Sequence, residues 1–280
     1  MSNENNGIFY RLGLFLLLFG CGWIALGPIQ WGNITLSEFI KIIYKIGIPI
    51  IFFLITFYLY KSKRLNKYWS VFYFYTIGAT AFLITWLLFF LFPIQTTTAA
   101  GYALAKLYEA VLIIGSIIII LLVSKVDLKS VHLKKGNLKL GLIFGLSGFA
   151  FFVIFSFFGA ELLFYGTALN WNNVLISLPW ILIFIFANAP MEELLYRGLF
   201  ISKYEVFFNK KSSNLLQALI FAFIHFGVSY TSQQVIFLIL NFFLGLLWGY
   251  IVQKTDSLIG SILFHAGADF VVIIGIFSVL

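Results

Sequence analysis

The feature that most constrains this chain is a succession of apolar stretches separated by short polar breaks. They fall near residues 9–29, 40–60, 70–93, 106–123, 140–165, 174–201, 214–229, 233–253 and 257–279. A helix needs about 20 apolar residues to cross a bilayer core of about 30 Å. In lipid, only helices and closed barrels satisfy their own backbone polar groups. Strands of a transmembrane barrel alternate apolar and polar residues, whereas these runs are continuous. Composition agrees: 62% hydrophobic and 10% charged, with a mean hydropathy of +1.03, against about 45–50% and about 25% in soluble domains. A soluble globular enzyme and a disordered chain are thereby excluded. Cys21 is the single cysteine, which excludes a disulfide-stapled scaffold. The expected fold is all-α, a polytopic transmembrane helical bundle of about 8–9 spans. N-terminal transmembrane helices occupy residues 1–139 and C-terminal helices residues 140–280.

Lysines and arginines orient the bundle. The break after the second stretch carries Lys61, Lys63, Arg64 and Lys67, and the break after the fourth carries Lys125, Lys129, Lys134, Lys135 and Lys139. Lys203, Lys210 and Lys211 follow the sixth stretch and Lys254 follows the eighth. The breaks around 170–173 and 230–234 carry none. Positive charge marks the cytoplasmic side, so even-numbered breaks and the N-terminus, with Arg11, are expected inside and the C-terminus outside. Lys41, Lys45 and Lys106 are the exceptions. The net charge of +8 is thus a topology signal; nucleic-acid binding would need bases clustered on a folded surface. Leu18-Phe19-Gly20-Cys21 reads as part of an uncleaved first helix with a buried thiol.

Ionisable side chains deep in a bilayer cost several kcal/mol, so each is a functional candidate. Glu4, Glu38, Asp127, Glu205 and Asp256 lie in tails, breaks or segment ends. Glu109 is expected one turn from the outer end of its span, paired with Lys106 three residues earlier, and Glu161 near the outer end of the fifth. Glu192, Glu193 and Asp269 remain, and His225 and His265 also lie within apolar runs. At about 1.5 Å per residue from the basic end, Glu192 is about 15 Å deep, His225 about 17 Å, His265 about 12 Å and Asp269 about 18 Å. Scattered structural polar residues would have no reason to share a level.

Helical phase groups these residues further. Glu193 and Arg197, four apart, share a face and can pair, while Glu192 is turned about 100° away. His265 and Asp269 project together, and Phe221 lies one turn from His225. Pro190 can kink its helix and free a carbonyl. Arg197, near the inner end, could instead snorkel. Gly141/Gly145 and Gly245/Gly249 read as helix-packing spacings, and Trp31, Trp69 and Trp171 as an interfacial belt.

A carboxylate beside an imidazole is a general-base arrangement, with water to activate and an acyl bond as the target. On this reading Glu192 and His225 handle the proton and His265 sits where an oxyanion develops. Two histidines with carboxylates could equally hold zinc at an open site, although no HExxH helix is present. No G-x-S-x-G nucleophile motif occurs.

Glu192-Glu193-Leu-Leu-Tyr-Arg197, Phe221-Ala-Phe-Ile-His225 and His265-Ala-Gly-Ala-Asp269 resemble the three ordered motifs of the CAAX-protease and bacteriocin-processing (CPBP, or Abi) family. The resemblance covers about the last 110 residues, placing a CPBP-like core within 140–280. It implies a glutamate-dependent intramembrane endopeptidase acting on a peptide or membrane-protein substrate; the Ile-, Asn- and Lys-rich usage suits a bacterial plasma membrane. Glu192 would match the water-activating residue, His225 its partner, and His265 with Asp269 the pair that stabilises the tetrahedral intermediate. Glu193, Arg197 and Phe221 would support them. The last motif position is often Asn in the family; an ionised Asp269 cannot donate a hydrogen bond. It would have to be protonated, orient His265 or bind a metal. The site is expected to open toward the cytoplasm or inner leaflet. Two other readings compete: a non-catalytic immunity or scaffold protein, and a proton-coupled transporter. The matched halves of transporters are absent here, since the polar residues gather at one end of the sequence.

Overall fold

The computed structural model describes residues 2–34, 36–164 and 168–280, with side chains from Gly7 onward. Ten longer helices form it: α1 Ser2–Leu26, α2 Glu38–Lys61, α3 Trp69–Leu91, α4 Ala99–Val123 and α5 Leu138–Ile154, followed by α6 Ser156–Leu163, α7 Leu178–Tyr204, α8 Lys210–Ile224, α9 Gln234–Thr255 and α10 Ile259–Phe277. There is no strand among the described residues. Among the described residues, seven helices are long and apolar enough to cross a membrane. An eighth crossing is counted if α5 and α6, bent by 65° at Phe155, act as one span. The protein is therefore an all-α, multi-pass membrane bundle.

Two predicted spans are corrected. The seventh stretch forms only the 15-residue α8, about 22 Å long, which stops inside the bundle at His225. Residues 225–233 continue as irregular chain, which at such a depth is tolerated where it lines a cavity. The fourth span begins at Ala99, capped by the Thr98 hydroxyl, which accepts from the Gly101 amide. Lys106 and Glu109 therefore lie two to three turns inside α4 and not at its outer end; the small residues Ala99, Ala100 and Gly101 extend the helix beyond the apolar run.

The basic breaks meet at one end. His132 Nδ1 lies 2.9 Å from Asp256 Oδ1, Lys134 pairs with the same carboxylate, and the Asn137 amide donates to the Thr255 carbonyl at 2.7 Å. Ser202 donates to the Ser130 carbonyl at 3.0 Å, and Tyr68 stacks on Phe207. Burial raises the Asp256 carboxyl, but hydrogen bonds from Lys134 and His132 outweigh it and hold the group below its usual value. Burial lowers His132 despite that contact. The three exceptions at the far end are neutralised or buried: Lys41 pairs with Glu38 at 2.8 Å, Lys106 with Glu109 at 2.5 Å, and buried Lys45 donates to the Gln30 carbonyl at 2.5 Å.

Close packing places the helices that carry the polar motifs. A Cβ on Gly145 would lie 2.8 Å from the Leu263 Cβ, so α5 and α10 touch almost backbone to backbone. A Cβ on Gly249 would lie 2.0 Å from Asn214 Oδ1 and bring α9 off α8. Both glycines serve the packing role expected of their spacing. Cys21 lies within α1, half-buried. Helix α7 runs through the centre: Tyr75 of α3 shares a 2.8 Å hydrogen bond with Tyr204 near its basic end.

Candidate active site

Helix α7 is not uniformly α-helical. Pro190 lies inside it, and from Glu193 to Gly198 the chain forms a π-helical turn, a rare feature that recurs at functional sites. Uniform α-helical phase would send Glu192 and Glu193 about 100° apart. Both keep α-helical backbone angles, yet their carboxylates reach one ring from its two sides. His265 Nδ1 lies 2.8 Å from Glu193 Oε1, while Nε2 lies 3.6 Å from Glu192 Oε2 and 3.5 Å from Asp269 Oδ1. A ring with carboxylate oxygens at both nitrogens is arranged to donate from both, as an imidazolium does.

The surroundings hold that ring still. Trp248 of α9 stacks on it at 3.9 Å between centroids, with planes 13° apart, and the Phe221 edge meets it at 5.8 Å. Arg197 Nη1 donates to Glu193 Oε1 at 2.8 Å. Its guanidinium lies 4.0 Å from the Phe221 ring centre and 5.1 Å from that of Trp248, within cation–π range. Glu193 and Arg197 are both 0% exposed, so Arg197 does not snorkel; its charge is spent on Glu193 and two aromatic faces. Glu193, Arg197 and Phe221 form a platform beneath His265.

His225 stands apart from this cluster. Its Nδ1 donates to the Phe221 carbonyl at 2.9 Å, closing the end of α8, and its ring meets the Phe221 and Phe237 edges. The expected direct partnership with Glu192 is therefore not made. Because α8 ends here, the bond to its own last turn fixes the tautomer and leaves Nε2 as the free lone pair. His225 and Glu192 line a common cavity of about 610 Å³, a volume typical of small-ligand sites.

Several cavity residues escaped the sequence reading. Asn188, one turn before Glu192, donates to Asp269 Oδ2 at 3.1 Å; its four-residue spacing from Glu192 was the available signal. The Lys106–Glu109 pair lies on the cavity wall, hidden from the sequence by a helix start placed too late. Trp31, expected in an interfacial belt, also lines the cavity and donates to the Tyr196 hydroxyl at 2.8 Å. Trp248 carried no signal beyond being apolar. Zinc finds little to bind: no group of three or more His, Cys, Asp or Glu among the described residues is placed to hold a metal ion. Both nitrogens of His265 are turned to carboxylates, and the Nδ1 of His225 is taken by the Phe221 carbonyl.

The cavity also lies on an unexpected side of the reactive groups. Glu192, His265 and Trp248 are its innermost lining residues, and the rest extend away from the basic loops through Asn188, Phe184 and Tyr102. The expectation of a mouth on the basic side finds no support in this shape, because the Arg197 platform fills that direction.

No curated protein and no solved structure matches the chain. Residues 173–271 match the family model described as type II CAAX prenyl endopeptidase Rce1-like, which spans all three motifs. The segment that carries the site is thus similar to that family.

Proposed function

We propose that the protein is an intramembrane endopeptidase that hydrolyses a peptide bond with water activated by Glu192. The observation that carries this reading is the Glu192 carboxylate. It is 6% exposed, opens onto the cavity, and the described residues give its Oε2 no hydrogen-bond donor. A buried carboxylate oxygen left so on a cavity wall is placed to take a hydrogen bond from a water or a substrate.

Glu192 takes a proton from a water held between itself and His225, whose free Nε2 accepts the second hydrogen bond. The water oxygen bonds to the carbonyl carbon, and the oxygen that becomes negative is met by the His265 Nε2–H. Collapse breaks the C–N bond, and the proton held by Glu192 leaves with the amine. Asp269 accepts from Asn188 and faces His265, which supports the orienting role among those open to it. Its inability to donate then does not matter, because His265 supplies the donor. No step requires a metal. The wall of phenylalanines suits an apolar peptide segment in a bacterial plasma membrane, whether from a bacteriocin leader, a signalling peptide or a lipidated tail.

Comparing membrane peptides by mass spectrometry in strains carrying the wild-type chain and Glu192→Gln tests this reading. Loss of a positioned general base costs about 10²–10⁴ in rate, so uncut substrate should accumulate while the protein remains at its normal level. Identical cut peptides in both strains would remove the enzymatic reading and leave a binding or immunity role.

A further inference from the structure

The direction of the cavity carries a consequence for the substrate. In α7 the lining residues are Phe184, Asn188 and Glu192, and they stop about three turns short of Tyr204. In α9 they run from Phe237 to Trp248 and stop about two turns short of Thr255. In α10 they run from His265 to Ile276, away from Ile259. Three helices, two running toward the basic end and one away from it, therefore agree that the space extends away from the end where the basic breaks pack together. From Glu192 to Phe184 it rises about 12 Å along α7. Toward the basic end it is stopped by Trp248, Phe221 and the fully buried Glu193–Arg197 pair.

The charge rule places the basic end in the cytoplasm, and the three bases at the far end do not weaken it. Two are cancelled by carboxylates and the third is buried on a backbone carbonyl. The mouth itself lies on the flank. Phe151, Phe155 and Phe158, around the 65° bend between α5 and α6, line the cavity and are also exposed on the outside of the bundle, as is Leu240 of α9 across the gap. Such a mouth, framed by apolar rings in the half of the bundle away from the basic loops, faces lipid.

We propose that the site takes its substrate from the non-cytoplasmic side. The substrate class is a membrane peptide whose apolar segment lies in the outer leaflet and slides between the α5–α6 bend and α9 to reach Glu192. This rests on the peptidase reading for the word substrate, but the side of access stands on the cavity and the charges alone.

The single native cysteine makes a clean test that needs no activity. In a Cys21→Ala background, cysteines are placed at Ser229 at the cavity rim, at Ala268 and Val272 on the α10 wall, and at Lys63 among the basic loops. A sulfonated, membrane-impermeant maleimide is then added to intact cells. Ser229→Cys and at least one of Ala268→Cys and Val272→Cys should react at once, and Lys63→Cys only after permeabilisation. Reaction of the wall cysteines only together with Lys63→Cys overturns the proposal. So does a wall that stays silent in both conditions while Ser229→Cys reacts, since the mouth would then not lead to the site. Failure of Glu192→Gln to change cleavage would instead remove the peptidase reading and leave this labelling pattern intact.

Discussion

Helices α2 and α7 invite comparison because each crosses the bundle with an internal proline and a buried cation. In α2 these are Pro49 and Lys45; in α7 they are Pro190 and Arg197. The most apolar window of α2 is 28% buried, and its outer face presents Ile50, Phe53, Leu54 and Phe57 to lipid. The corresponding window of α7 is 61% buried. Helix α2 is α-helical through its proline, whereas α7 passes into a π-helical turn three residues later. Lys45 meets a single backbone carbonyl; Arg197 meets a carboxylate that also holds His265. A proline and a cation therefore do not make a reactive span. Protein on all sides does, because only there can a cluster of charges find partners instead of hydrocarbon.

Removing the two cations in parallel should separate the two helices most clearly. Arg197→Met leaves the Glu193 carboxylate fully buried and short of a partner, a change that costs about 3–5 kcal/mol. The variant should be depleted from membranes, and thermal unfolding in detergent should show it strongly destabilised. Replacing Glu193 and Arg197 together by apolar residues of similar size should recover much of the loss, since burying a pair gains little over packing. Cleavage would not recover with it, because His265 would lose its Nδ1 acceptor. If Arg197→Met proves no worse than the equivalent change in α2, the platform beneath His265 is not held by this pair.

Much of this was legible in the sequence, and the reasons for what was not are physical. Glu192, Glu193, Asp269, His225 and His265 stood out because charge is scarce, and counting along each helix put them at one level. Helix counting assumes uniform winding, so the π-helical turn from Glu193 to Gly198 is invisible to it. It also needs a known origin: α4 begins at Ala99, and so the depth of Lys106 and Glu109 was misjudged. Level says nothing about which side is walled off. Trp248 and Phe221 close the basic side as ordinary apolar residues, so the direction of the cavity had no signature in the chain. Asn188 was overlooked because an amide carries no charge to count.

Asn188 offers a smaller test within α7 itself. Its amide donates to the Asp269 carboxylate, and a hydrogen bond to a charged group contributes about 1.5–3 kcal/mol. Asn188→Leu should therefore slow cleavage of the peptides identified with Glu192→Gln by about tenfold or more. The loss should appear in kcat with KM little changed, as expected when a positioned donor is disturbed. Asn188→Asp should be worse than Asn188→Leu, since it sets a second carboxylate against Asp269. Equal activity in all three chains would mean that Asp269 is held by His265 alone.

The smallest effect is expected at Lys45, and its smallness is what the comparison requires. Lys45 is 8% exposed and its ammonium donates to the Gln30 carbonyl, in the short helix Pro28–Trp31 that follows α1. Methionine keeps the length and flexibility of the stem and removes one cation from an apolar setting. The loss is one hydrogen bond, about 1 kcal/mol net. Part of it is offset because a charge no longer needs to be desolvated. No carboxylate among the described residues loses its hydrogen-bonded partner, since Glu109 remains with Lys106 at 2.5 Å. Lys45→Met should therefore lower the unfolding temperature in detergent only slightly and leave cleavage unchanged. A collapse comparable to that of Arg197→Met would mean that α2 carries a buried charge network of its own and that the contrast with α7 is one of degree.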